Sequence, residues 1–245
     1  MCVTPLRLAM WSGPRNISTA LMRAWENRAD CVVWDEPLYG YYLEKTGIDH
    51  PGASDIIADH GSDADSIIAR CIGEIPDGKS IFYQKHMTLH LLPELDRGWL
   101  DALENCFLIR EPEAVIASYG AVRSQPTLED IGFVQQAELF ETVERQSGRR
   151  PLVIDSREFL LDPRRMLMAI CDHCAIEFDD AMLQWPAGPR DSDGIWAKYW
   201  YDSVWQSTGF APYRERSYEL DAHAKAIVEQ ARPHYEKLHA LRLRA

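Results

Sequence analysis

Five short apolar runs divide the chain: Leu6 to Trp11, Cys31 to Trp34, Ser80 to Gln84, Asn105 to Ile109 and Pro151 to Ile154. Each is mostly continuous rather than alternating and rich in Val, Ile, Phe or Cys, the pattern of strands buried on both faces. Between and after them apolar positions recur at helical spacing. These patterns predict helices over Ser18 to Glu26, Ala64 to Ile72, Leu92 to Glu104, Glu111 to Val122, Asp130 to Gln146 and Asp162 to His173. A last helix is expected from Asp221 to His239, broken at Pro233. Strands that alternate with helices imply a central parallel sheet with helices on both faces, in a single α/β domain over residues 1–245. Ligands of such sheets sit at the carboxyl ends of the strands, so those positions are where chemistry is expected.

Two stretches break the alternation. Tyr39 to Gly78 is polar, punctuated by glycine and proline, and holds one short helical pattern, Ala64 to Ile72. It reads as an excursion over the upper edge of the sheet, either a substrate lid or a passive loop. Pro186 to Pro212 has no clear period and is too aromatic to be disordered. Its Trp196, Tyr199, Trp200, Tyr201 and Trp205 suit either a pocket for a flat acceptor or packing beneath the last helix.

The first apolar run ends in a loop of small residues, Gly13-Pro14-Arg15-Asn16-Ile17-Ser18-Thr19, and turns directly into a helix. A strand–loop–helix of this kind presents free backbone N–H groups, a helix dipole and a cation to one spot, as a phosphate or sulfate requires. An ordinary connection capped by Asn16 or Ser18 has the same residues. Later strands end in Asp35-Glu36, Lys85-His86, Arg110-Glu111 and Asp155-Ser156. In a parallel sheet these groups share a rim with the loop. They supply cations at Arg15, Lys85 and Arg110, and a candidate base at His86 or Glu36.

Composition sharpens this. The 245 residues carry a net charge of -12, which argues against wrapping nucleic acid or coating an acidic membrane. Cations beside a candidate anion loop are therefore more informative than in a basic chain. No apolar run approaches the length of a spanning helix and no leader is evident, so a cytoplasmic protein is expected. A homo-oligomer is compatible with the sequence, which does not fix the oligomeric state. Cys171-Asp172-His173-Cys174 lacks a second ligand pair and reads as core-facing thiols rather than a metal site. His86 and His90 could share zinc on a helix, but Met87 stands where a zinc-hydrolase motif needs Glu.

Here the residues resemble a family, the sulfotransferases that use 3′-phosphoadenosine 5′-phosphosulfate (PAPS). The loop Gly13 to Thr19 is similar to the family's 5′-phosphosulfate loop, with Arg15 at the cation, Ser18 and Thr19 at the hydroxyl pair, and Ile17 where the family has glycine. Arg110 and Ser118, eight residues apart around Arg110-Glu111-Pro112, resemble its 3′-phosphate site. Ile154 to Pro163 resembles a later strand and helix opening, with Ser156 at the family's aromatic. Gly188 to Trp196 is similar to its late Arg- and Gly-rich segment, which brings in Arg190. Lys85-His86 resembles Lys-Thr-His with one residue missing, while the tyrosylprotein sulfotransferases place a Glu base near the position of Glu36.

The resemblance implies a P-loop-like nucleotide-binding fold and transfer of a sulfuryl group from PAPS to a hydroxyl or amine of a small-molecule acceptor, with no metal required. Residues 39–78 would set acceptor specificity. Two other readings stay open: a P-loop kinase or hydrolase, which would turn over ATP with magnesium, and a non-catalytic nucleotide-binding module. The kinase reading suffers because Ser18, Thr19 and Ala20 occupy the positions where an ATP P-loop needs Gly, Lys and Ser or Thr.

Overall fold

The computed structural model describes residues 5–120 and 125–244. The elements in chain order are β1 (Leu6–Ser12), α1 (Ser18–Glu26), β2 (Cys31–Asp35), α2 (Tyr39–Thr46), α3 (Ala53–His60), α4 (Ala64–Ile72), β3 (Ile81–Met87), β4 (Glu104–Ile109) and α5 (Pro112–Gly120). They continue with α6 (Leu128–Ile131), α7 (Phe133–Ser147), β5 (Leu152–Asp155), α8 (Ser156–Leu161), α9 (Pro163–His173), α10 (Ala197–Trp200), α11 (Asp202–Trp205) and α12 (Ala222–His239).

The strands form one sheet in the order β2-β3-β1-β4-β5, and every pairing is parallel. β1 is central, and successive strands leave it first on one side and then on the other. The loop after β1 therefore lies at the switch point, where α/β sheets bind ligands. Alternate residues of each strand feed two separate cores. Ala9, Trp11, Phe82 and Phe107 pack on one face with α4, α5, α7 and α12, while Leu8, Met10, Tyr83 and Leu108 pack on the other with α1 and α9. A third, smaller core joins α2 and α3 to Trp196, Ala197 and Tyr201.

Several expectations need correcting. Residues 39–78 hold three helices rather than one. Gly47 (φ +61°), Gly52 (φ +73°) and Gly61 (φ +79°) lie at the ends of α2 and α3, so the glycines that resembled loop composition are helix punctuation. The Leu92 to Glu104 pattern yields only a 3₁₀ turn at Gly98–Ala102. The Asp130 to Gln146 helix is split at Gly132 (φ +69°) into α6 and α7. Pro233 does not break α12, which runs through it. The end of the Glu111 to Val122 helix lies outside the described residues. The aromatic segment packs on α2 and α3, not beneath the last helix.

β3 also continues past Gln84 to Met87, so Lys85 and His86 are strand residues in register with Met10 and Trp11. This fixes the site, because neighbouring strand residues point to opposite faces.

The loop after β1 is braced from the other side of the sheet. The Gln136 side-chain amide on α7 donates to the carbonyls of Trp11 (3.1 Å) and Leu108 (3.0 Å), and Asn16 Nδ2 donates to the same Leu108 carbonyl at 3.1 Å. Gly13 allows the close approach: a Cβ there would lie 2.8 Å from the Ile131 carbonyl oxygen, where backbone meets backbone. Gly13→Ala is expected to cost about 1–3 kcal/mol of stability by overpacking, read as a lowered urea midpoint with unchanged m-value.

Candidate active site

A cavity of about 590 Å³ opens at the carboxyl edge of the sheet, within the range of small-ligand pockets. It is lined by the loop from Pro14 to Ala20, by the ends of β2, β3 and β4, and by parts of α2 and α11.

One end is built for anions. α1 begins at Ser18 with no side chain capping its first turn, so the N–H groups of Ser18, Thr19 and Ala20 are left for another acceptor. Asn16 does not cap the helix; its Oδ1 accepts from the next backbone N–H, Ile17, at 2.9 Å. Beside this turn Arg15 Nε donates to Ser118 Oγ at 2.9 Å, and Arg110 Nη1 donates to the Arg15 carbonyl at 2.5 Å. The structure thus brings Arg15, Arg110 and Ser118 from β1's loop, β4 and α5 into one cluster. Among the described residues neither guanidinium has a carboxylate partner. Burial and then the Arg110 charge press the Arg15 pKa below its usual value. Two like charges held together without counter-charge are a site for a polyanion.

The middle of the cavity is a buried ion network. Lys85 Nζ contacts Asp35 Oδ1 at 2.8 Å, Glu36 Oε1 at 2.5 Å and the Tyr201 hydroxyl at 2.9 Å, which uses its three donors. The Tyr201 hydroxyl donates in turn to Asp35 Oδ2 at 2.6 Å. Burial opposes the Lys85 charge, but Asp35 and Glu36 outweigh it and hold the ammonium well above its ordinary range. Lys85 is therefore a fixed cation that positions Glu36, rather than a free donor to a ligand. Glu36 adopts φ +43° and Arg15 φ +56°, left-handed backbone that non-glycine residues rarely take. Both side chains of the proposed chemistry sit on such strained turns.

His86 lies elsewhere. Its ring is 1% exposed, stacks on Trp11 at 4.2 Å and bonds Gln84 Oε1 through Nε2 at 3.1 Å. It faces the core opposite Lys85 and does not line the cavity, so the expectation of His86 as base is corrected. Burial, then His90 and Lys85, push its pKa down to about 3. The native state keeps it neutral while the unfolded chain protonates below pH 6.5. Between pH 6.5 and 5 this group should remove about 2 kcal/mol of stability. His86→Asn should lower stability by about 1–3 kcal/mol at pH 7.5, through lost packing and hydrogen bonding, and flatten the acid slope. Urea titrations at both pH values check this; an unchanged slope contradicts the assignment.

Arg190 is also displaced from its expected role. Its Nη1 pairs with Glu26 Oε2 at 2.7 Å behind α1, and it does not line the cavity. Ser192 bonds the same Glu26, and Asp193 receives Arg23 Nη2, so this segment braces α1 from outside the cavity. Asp155 caps α8 and accepts from Tyr235 at 3.1 Å, a structural task.

One cavity residue entered the sequence reading only as a possible zinc partner of His86. His90 is 3% exposed and stacked between Tyr39 (4.6 Å) and Tyr42 (4.8 Å). Its Nδ1 has no hydrogen-bond partner among the described residues and lies 3.8 Å from Glu36 Oε2.

With this geometry in place, comparison with known proteins gives the family. A family model described as a sulfotransferase domain matches residues 6–242, and the chain belongs to that family. Branched-chain-amino-acid aminotransferase-like protein 1 of Arabidopsis thaliana is 32% identical over 228 residues, which cover 93% of this chain and 40% of that protein. Branched-chain-amino-acid aminotransferase-like protein 2 of the same organism is 30% identical with the same coverage. The chain thus spans about two fifths of the length of these relatives. The crystal structure of a sulfotransferase from Alicyclobacillus acidocaldarius has a TM-score of 0.56 at 13% identity, covering 98% of this chain and 96% of that one. The sulfotransferase domain from the curacin biosynthetic pathway has a TM-score of 0.53 at 15% identity, covering 92% and 97%. At these identities the structural likeness concerns the fold, a parallel α/β sheet.

Proposed function

We propose that this chain transfers a sulfuryl group from PAPS to a hydroxyl or amine of a small-molecule acceptor. The observation that carries the reading is the pair of guanidiniums, Arg15 and Arg110, gathered with Ser118 at an uncapped helix N-terminus in the same cavity as Glu36. These residues fit a nucleotide with several phosphate and sulfate groups. Arg110 and Ser118 would hold the 3′-phosphate end, and Arg15 with the amides of Ser18, Thr19 and Ala20 the 5′ end. Gly13, Pro14, Asn16 and Ile17 shape the loop that presents them. The bound nucleotide supplies the sulfuryl group.

The protein's part is charge and proton management. Arg15 and the helix N-terminus stabilise the charge that grows on the leaving phosphate, commonly worth about 3 kcal/mol per donor. Glu36, held by Lys85, is the carboxylate placed to take the acceptor's proton. Nothing in this scheme calls on a metal. The excursion 39–78 supplies Tyr39, Tyr42, Asp49 and His50 to the cavity, which supports its reading as the part that selects the acceptor.

The test is release of 3′,5′-diphosphoadenosine from PAPS, followed by chromatography across a panel of hydroxyl and amine acceptors. Acceptor-dependent release is expected. Turnover of ATP with none of PAPS would favour a kinase or hydrolase, and nucleotide binding without turnover on any acceptor would favour a binding module.

A further inference from the structure

The end of the cavity away from Arg15 and Arg110 has a chemistry of its own. Its walls are aromatic, with Tyr39, Tyr42, Trp200 and Tyr201. Its acidic groups include Glu36 inside and Asp49, which is exposed at the rim. The ammonium at this end, Lys85, already faces both Asp35 and Glu36, so two carboxylates meet one cation. Asp49 has no ion-pair partner among the described residues.

A second, independent observation points to a ligand here. His90 Nδ1 is buried and unpartnered, and its ring lines the cavity. Burial, then the Lys85 charge, holds the imidazole neutral. A neutral ring nitrogen and a carboxylate oxygen 3.8 Å apart can both bond one hydroxyl placed between them. The rim connects to this notch through a single tyrosine. His50, next to Asp49, bonds the Tyr39 hydroxyl at 2.6 Å, and the Tyr39 ring stacks on His90.

We infer that the acceptor is a small hydroxyl compound that also carries an ammonium group. The hydroxyl sits between Glu36 Oε2 and His90 Nδ1, and the ammonium lies along the aromatic wall toward Asp49. Aromatic rings and carboxylates together attract ammonium groups. With the nucleotide bound to Arg15 and Arg110, an anionic acceptor would meet carboxylates at this end with no uncommitted cation among the described residues to offset them. The inference rests on the sulfuryl-transfer reading above and names the substrate class of that site.

Three phenols of matched length test it: tyramine (cationic), 4-ethylphenol (neutral) and 3-(4-hydroxyphenyl)propionate (anionic). Each is titrated by calorimetry into the protein already saturated with 3′,5′-diphosphoadenosine. Tyramine is expected to bind roughly five- to tenfold more tightly than 4-ethylphenol, and the propionate more weakly than either. Asp49→Asn should remove most of the preference for tyramine over 4-ethylphenol. Equal or tighter binding of the propionate, no binding of tyramine, or a preference untouched by Asp49→Asn overturns the inference while leaving the nucleotide reading intact. Failure of the first titration, with 3′,5′-diphosphoadenosine itself, overturns both.

Discussion

Arg110→Ala is expected to weaken binding of 3′,5′-diphosphoadenosine by about 10- to 100-fold, the scale of one or two charge-assisted hydrogen bonds. The side chain is half-buried at the end of β4 and has no carboxylate to satisfy it among the described residues, so its charge is available to a ligand. It also holds the Arg15 carbonyl, and Arg15 sits at φ +56°. Losing Arg110 therefore removes one cation and loosens the loop that carries another. Relief of the repulsion between the two guanidiniums offsets part of this, which keeps the expected loss below that of two full contacts. Arg149→Ala is the control. That arginine is exposed and paired with Glu104 at 2.9 Å, outside the cavity, and its removal should leave nucleotide binding unchanged. Calorimetry on the three proteins decides it, and equal affinity for wild type and Arg110→Ala would remove Arg110 from the site.

Glu36→Gln should lower kcat by about 10²- to 10⁴-fold, the range for loss of a general base. The amide keeps the volume and can still accept from Lys85, so the buried network stays hydrogen-bonded while the proton acceptor is lost. Affinity for 3′,5′-diphosphoadenosine should change little, because the anion cluster is built from other residues. A split between kcat and nucleotide affinity is the signature sought. A fall in kcat of less than about tenfold would move the proton to another group, and His90 Nδ1, 3.8 Å from Glu36 Oε2, is the nearest candidate in the cavity.

Much of this architecture was readable in the residues. Continuous apolar runs identified all five strands, and the Arg110–Ser118 spacing placed two side chains that the fold does bring together with Arg15. The errors share a physical origin. A sequence does not mark where a strand stops when its last residues are polar, and the apolar run alone ends β3 at Gln84. Three further strand residues, Lys85 to Met87, put Lys85 in the cavity and His86 on the opposite face against Trp11. The partners that neutralise a buried charge come from distant segments. Asp35 and Tyr201 around Lys85, and Glu26 around Arg190, could not be read from the local pattern. Glycine was ambiguous too: at positions 47, 52 and 61 it flanks short helices that alone resemble a loop. His90 drew only a zinc-pair reading beside His86, because its significance is an unpartnered nitrogen, a property of packing rather than of sequence.

The central claim is that this cavity holds a nucleotide with both 5′- and 3′-anionic groups. Titration of the purified protein with 3′,5′-diphosphoadenosine and with adenosine 5′-phosphate tests it most directly. The expected result is saturable binding of the first in the micromolar range or tighter, with the second at least about tenfold weaker for want of the 3′-phosphate. No binding of 3′,5′-diphosphoadenosine at high micromolar concentration, or equal affinity for the two nucleotides, would contradict it.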